Sequence, residues 1–104
     1  RIPHTMMIEV EAESAGQAVE AARAGAHIVM LDNMSPEAMQ AAAAQVRAIA
    51  PHVVLEASGG IRPERVAAVA ASGVDIISVG GLTHSFTALD ISLDLNERKK
   101  GDPS

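Results

Sequence analysis

A chain of 104 residues, 48% hydrophobic with a formal net charge of -5, is one small domain with too much apolar content for a disordered polymer. Its 20 alanines, 8 glycines and single aromatic, Phe86, suit closely packed layers of helix on sheet, and the absence of cysteine excludes a disulfide scaffold and a thiolate metal site. The acidic balance argues against nucleic acid as the main partner, no apolar run approaches the roughly 20 residues that span a bilayer, and no signal peptide is visible, so a soluble cytoplasmic protein is expected. The chain opens on Arg1 rather than Met, which reads as a processed, cloned or excised piece.

Residues 6–12 read as a strand, with Met6, Ile8, Val10 and Ala12 to one side and Met7, Glu9 and Glu11 to the other. Ser14 is placed to cap a helix, with Gln17 three residues on as in a capping box. Ala18, Val19, Ala22 and Ala26 give that helix an apolar stripe, and Gly25 is its stop. Ile28–Asp32 is an almost wholly apolar run ending in a carboxylate, the pattern of a strand buried on both faces. Ser35-Pro36-Glu37 combines an N-cap, a proline at the first helical position and an acid in the first turn. Met39, Ala42, Val46 and Ile49 continue that helix until Pro51 ends it.

The pattern then recurs. Residues 53–57 form a buried strand, followed by Ser58-Gly59-Gly60. Pro63-Glu64 opens a third helix, with Val66, Val69 and Ala70 inward and Gly73 as the stop. Ile76–Val79 is a fourth strand ending in Gly80-Gly81, and Thr83-His84-Ser85 reads as a polar turn. Residues 89–95 alternate apolar and polar, as an extended segment does, and residues 96–104 form a polar tail. Residues 22–32 (ARAGAHIVMLD) align with residues 70–80 (AASGVDIISVG) at an offset of 48, which also places Ser14 on Arg62. Two βα units of about 24 residues give that period. The class is α/β, with parallel βα repeats in one sheet.

In such folds chemistry collects where strands end and the next helix begins. Here the strands end at Glu11, at Asp32-Asn33, at Ser58-Gly59-Gly60 and at Gly80-Gly81, all on one rim. Two carboxylates on one rim can bind sugar hydroxyls, hold Mg2+ or act as acid and base; alternatively they only offset helix dipoles. Glu9 shares their face but sits deeper and reads as structural. The two glycine turns are either ordinary tight turns or a phosphate cradle, and their occurrence on successive strands favours the cradle. His84 stands beside the second turn as a further donor or as a solvated side chain. His4, His27 and His52 precede strands on the opposite rim and are assigned no function.

The strings IEVEAES, AGAHIVMLDNMSPE, VVLEASGGI, GVDIISVGGLTHS and ALDISLDL, in this order and spacing, resemble quinolinate phosphoribosyltransferases, also called nicotinate-nucleotide pyrophosphorylases (carboxylating). The resemblance implies that residues 1–95 form the C-terminal part of an incomplete TIM-like α/β barrel, with residues 96–104 as a tail. It implies conversion of quinolinate and phosphoribosyl pyrophosphate to nicotinate mononucleotide, pyrophosphate and CO2, with Mg2+, in NAD biosynthesis. By motif, Glu11 and Asp32 fall on the carboxylates that hold the ribose hydroxyls directly or through Mg2+. Ser58, Gly59 and Gly60, with Gly80, Gly81 and His84, fall on the loops that grip the 5-phosphate. His27 stands where an acid is usual and Gly81 where alanine is common. The family's residues for the two quinolinate carboxylates precede this stretch. The composition agrees, because only eight Lys and Arg are present and Arg98, Lys99 and Lys100 sit together near the C-terminus. The resemblance further implies a homodimer or higher homo-oligomer, completed by the N-terminal part of the parent. The alternatives are a molybdenum-transport-associated paralogue on the same scaffold and an inactive fragment stable only through assembly.

Overall fold

In the computed structural model, residues 7–79 and the backbone of residues 82–85 are described. Five strands lie in one sheet in chain order: β1 (Glu9–Ala12), β2 (Ile28–Asp32), β3 (Val54–Ser58), β4 (Ile76–Val79) and β5 (Leu82–Ser85). The first four are mutually parallel, and α1 (Ala15–Arg23), α2 (Pro36–Ile49) and α3 (Val66–Ala71) connect them. This is the expected α/β architecture of parallel βα repeats. The 48-residue repeat is structural too: β2 and β4 start at Ile28 and Ile76, and the glycines before them, Gly25 and Gly73, share left-handed φ values of 101° and 107°.

Several details differ from expectation. The first strand begins at Glu9, and Met7 and Ile8 before it are exposed. The third helix opens as a 3-10 turn, Pro63–Arg65, and Arg62 at its N-cap makes no side-chain cap hydrogen bond. Ile49 lies past the core in the last turn of α2 and is exposed. Thr83-His84-Ser85 is no turn but part of β5, antiparallel to β4 with Val79 opposite Leu82 and Ile77 opposite His84. A Gly-Gly pair between two β-prone runs is a hairpin signal in sequence, and it outweighs the polarity of the segment. The expectations for Met6, for Gly80-Gly81, for residues 89–95 and for the tail lie outside the described residues.

The sheet has one covered and one open face. Side chains alternate along a strand, and parallel partners point the same way. Val29, Leu31, Leu55, Ala57 and Ile77 face the helices and are buried. They meet Ala18, Ala22, Met39, Ala42, Val46 and Val69. Alanines at these helix positions let the backbones approach the sheet closely, which suits a core with no aromatic rings. The other face carries Glu9, Glu11, Met30, Asp32, Glu56, Ser58 and Ser78, none of them buried. The expectation that β2 is buried on both faces is therefore corrected: Ile28, Met30 and Asp32 are half-buried, because the described residues place helices on one side only.

The helix starts follow the sequence signals. Ser14 Oγ accepts from Gln17 N–H at 3.1 Å, and Gln17 Oε1 accepts from Glu13 N–H at 2.8 Å, a capping box shifted by one donor. Ser35 Oγ accepts from Ala38 N–H at 3.1 Å ahead of Pro36. The rim at the strand N-termini is held by Arg47 in the last turn of α2. Its guanidinium donates to Val53 C=O and Gly73 C=O, both at 2.9 Å, and to Asp75 Oδ2 at 2.8 Å. Asp75 Oδ2 also accepts from Leu55 N–H at 2.9 Å. His27 lies on the same rim, its Nδ1 accepting from Ile8 N–H at 2.9 Å, a structural use.

Asp75→Ala is expected to cost about 2 kcal/mol, most of it from the stranded Leu55 N–H and little from the half-exposed ion pair itself. Asp75→Asn keeps an acceptor and loses less. Chemical denaturation of the three proteins checks this order; equal losses for both variants would contradict it.

Candidate functional site

Parallel strands put the ends of β1 to β4 on one rim, opposite Arg47. Asp32 and Ser58 are register partners at the ends of β2 and β3. Glu11 pairs with Met30, so it is the diagonal neighbour of Asp32 on the open face. Strand spacing and rise put those two Cα atoms about 8 Å apart, close enough for both carboxylates to reach one ligand. Glu11 is exposed and Asp32 half-buried. Among the described residues no donor or cation contacts either carboxylate.

The loops after β2 and β3 are joined. Asn33 N–H donates to Ser58 C=O at 3.2 Å, and Asn33 takes a left-handed φ of 54°, which asparagine tolerates. Gly59 and Gly60 follow at φ 87° and 68°. Two successive glycines in that region leave their amides free to turn toward an anion, and a Cβ on Gly60 would meet nothing within 4 Å. A cleft of about 370 Å³ lies between the two loops, with Asn33, Ser35, Gly59, Gly60, Arg62 and Arg65 among its lining and Met39 and Val69 at its floor. Its two arginines are exposed, beside the glycine loop.

Of the expected site residues, Glu11, Asp32, Ser58, Gly59 and Gly60 thus share one rim. Gly80 and Gly81 lie outside the described residues. His84 is described in backbone only, in β5 opposite Ile77. Two open-face residues were not singled out from sequence. Glu56, half-buried in the middle of β3, accepts from Ser78 Oγ at 3.0 Å through its Oε2. The available signal was a charge inside the apolar run VVLEAS, a costly placement unless the position faces water or a ligand.

Mg2+ binds through one or two carboxylates and completes its shell with water and substrate phosphates. No group of three or more His, Cys, Asp or Glu able to hold a metal exists among the described residues, so a closed protein cage does not fit. A two-carboxylate site open to substrate oxygens does fit Glu11 and Asp32. No helix among the described residues is long and apolar enough to cross a membrane.

A parallel βα sheet with carboxylates and a glycine loop at its strand C-terminal ends is an α/β fold whose polar residues gather on the rim where such folds carry their sites. The chain belongs to the family described as quinolinate phosphoribosyl transferase, C-terminal domain, which matches residues 1–94. It is 43% identical over 100 residues to "Probable nicotinate-nucleotide pyrophosphorylase (carboxylating)" of Methanothermobacter thermautotrophicus, covering 94% of this chain and 36% of that protein. It is 44% identical over 91 residues to the human nicotinate-nucleotide pyrophosphorylase (carboxylating), covering 88% of this chain and 31% of that protein. The solved structure of the nicotinate-nucleotide pyrophosphorylase from Francisella tularensis superposes with a TM-score of 0.63 at 36% identity, over 80% of this chain and 30% of that one. The chain therefore spans about a third of the length of the relatives it matches.

Proposed function

We propose that this chain is the ribose-phosphate-binding part of a pentosyltransferase of NAD biosynthesis. That enzyme converts quinolinate and phosphoribosyl pyrophosphate to nicotinate mononucleotide, pyrophosphate and CO2. The observation that carries the reading is the meeting of Asp32 with the Ser58-Gly59-Gly60 loop on one rim, a carboxylate beside an anion loop. A sugar phosphate needs that pair: acceptors for hydroxyls, and amides for phosphate. The relatives' shared name supports quinolinate as acceptor over the substrate of a molybdenum-transport paralogue.

In the reaction the pyridine nitrogen bonds to the anomeric carbon as the bond to pyrophosphate breaks, and the carboxylate next to that nitrogen leaves as CO2, the bonding pair it leaves behind taking up a proton from solvent at the ring carbon. Positive charge develops on the ribose ring during the displacement. Glu11 and Asp32 accept hydrogen bonds from the ribose hydroxyls and lay negative charge against that ring. Glu11 and Asp32 would be the residues to hold Mg2+, which would supply charge neutralisation for the departing pyrophosphate. Ser58 Oγ and the amides of Gly59 and Gly60, with Gly80, Gly81 and His84, hold the 5-phosphate. Their binding energy goes into placing the anomeric carbon. The quinolinate carboxylates are met by other parts of a cytoplasmic homo-oligomer.

The test is calorimetric titration of the whole protein that carries this chain with phosphoribosyl pyrophosphate, with Mg2+ and with EDTA in its place. Removing Mg2+ is expected to weaken donor binding by about tenfold or more. Turnover with quinolinate should release pyrophosphate and CO2 in equal amounts. Binding indifferent to Mg2+, or pyrophosphate release without CO2, would remove this reading.

A further inference from the structure

The two glycines after Ser58 answer to different constraints. A Cβ on Gly60 would meet nothing within 4 Å, so only its left-handed φ of 68° calls for glycine. A Cβ on Gly59 would overlap Asp32 Oδ1 and stand 2.9 Å from Asn33 N and 3.0 Å from Asn33 Oδ1. The strands beneath are fixed relative to each other, because Asp32 and Ser58 are register partners and Asn33 N–H donates to Ser58 C=O at 3.2 Å. Gly59 therefore cannot retreat from Asp32 without breaking the ladder. Among the described residues no donor holds the Asp32 carboxylate, and the room it occupies is the room left by the missing Cβ of Gly59.

We propose that Gly59 is a positioning residue for Asp32: the space left by its missing side chain is the space the carboxylate occupies. The anion loop and the carboxylate are then one unit, set by a single close approach. A phosphate that orders the loop also fixes the carboxylate that faces the ribose and Mg2+. What Asp32 does rests on the function proposed above; where it sits does not.

Gly59→Ala, Gly60→Ala, Asp32→Ala and the double variant Gly59→Ala/Asp32→Ala, made in the whole protein that carries this chain, test this by thermal unfolding. Both glycine variants carry the left-handed backbone penalty, but only the first meets Asp32. Gly59→Ala is expected to lower Tm more than Gly60→Ala, and Asp32→Ala is expected to restore the part of the difference that Asn33 N and Asn33 Oδ1 do not set. Equal losses, or no restoration, would overturn the proposal. Should Gly59→Ala yield no folded protein, the double variant decides: recovery of folded protein supports the proposal and its continued absence overturns it. Calorimetry adds a readout that stability does not move. Gly59→Ala is expected to raise the Mg2+ concentration for half-maximal binding of phosphoribosyl pyrophosphate by about tenfold. Restoration of Tm with an unchanged Mg2+ requirement upholds the positioning and removes Asp32 from the Mg2+ site, so the two readings fail separately.

Discussion

Asp32→Asn, in the whole protein that carries this chain, is expected to lower kcat/KM for phosphoribosyl pyrophosphate at least about tenfold, or about 1.4 kcal/mol of transition-state stabilisation. The substitution keeps the volume that sits against Gly59 and the strand pairing with Ser58, so the rim retains its shape. It removes only the charge. An amide still offers an oxygen to a ribose hydroxyl, which leaves ground-state binding partly intact. It offers no negative charge to the ring as that ring turns positive, nor to Mg2+ beside the departing pyrophosphate. The loss should therefore fall on kcat more than on KM. Stability should move by less than about 0.5 kcal/mol, since Asp32 makes no hydrogen bond or ion pair among the described residues. Steady-state kinetics and chemical denaturation of the same preparation check both halves. An unaltered kcat/KM would take Asp32 out of the site; a large loss of stability would recast it as structural.

What could be read from sequence was what local chemistry decides. Ser14 and Ser35 are caps because each has a short acceptor ahead of a helix that needs one. Gly25 and Gly73 mark matching helix exits because both take a φ that glycine adopts freely. The repeat of 48 residues follows from those two exits and the strands after them. The rim of Glu11, Asp32 and Ser58-Gly59-Gly60 was legible because a parallel βα parse puts every strand end on the same side. The resemblance to a known family then attached roles to those residues.

The remainder depended on contacts between segments. Glu56 was lost because VVLEAS scores as an apolar run, and only the pairing of β3 with its neighbours shows which alternate positions face the open side. The half-burial of β2 was missed for the same reason: composition says that a strand is apolar, not whether a second layer covers it. The difference between Gly59 and Gly60 has no signature at all in the sequence. It arises from the approach of one loop to the carboxylate of another, across 27 residues of chain from Asp32 to Gly59. The Arg47–Asp75 clamp spans 28 residues and is equally silent, since neither residue is unusual where it stands.

Expressed alone, the 104-residue polypeptide is expected to self-associate and to give no phosphoribosyl transfer to quinolinate. Among the described residues β1 pairs with β2 only, leaving one row of backbone N–H and C=O groups without a strand beside it. Just ahead of that edge, Met7 and Ile8 are 57% and 50% exposed. On the open face Ile28, Met30, Val54 and Ile76 are only half-buried. Two such faces could cover each other's apolar positions, but that would oppose Glu9, Glu11, Asp32 and Glu56 of one copy with those of the other. Pairing through the β1 edge satisfies the backbone groups and keeps Asp32 and Glu56 of the two copies apart, while it still brings Glu9 and Glu11 of one copy beside those of the other. Either contact should strengthen with salt, because screening at about 1 M ionic strength shortens the reach of those charges to about 3 Å. Activity fails for a different reason. Quinolinate brings two carboxylates and the donor a pyrophosphate, whereas the described residues hold four arginines, one of them, Arg47, committed to the opposite rim. With a net charge of -5 over the chain and so few cations at the rim among the described residues, holding both substrates at once is not expected. Sedimentation velocity at low and high salt, with a quinolinate turnover assay on the same sample, decides the matter: a monomer at both salt concentrations that turns over quinolinate would refute this account.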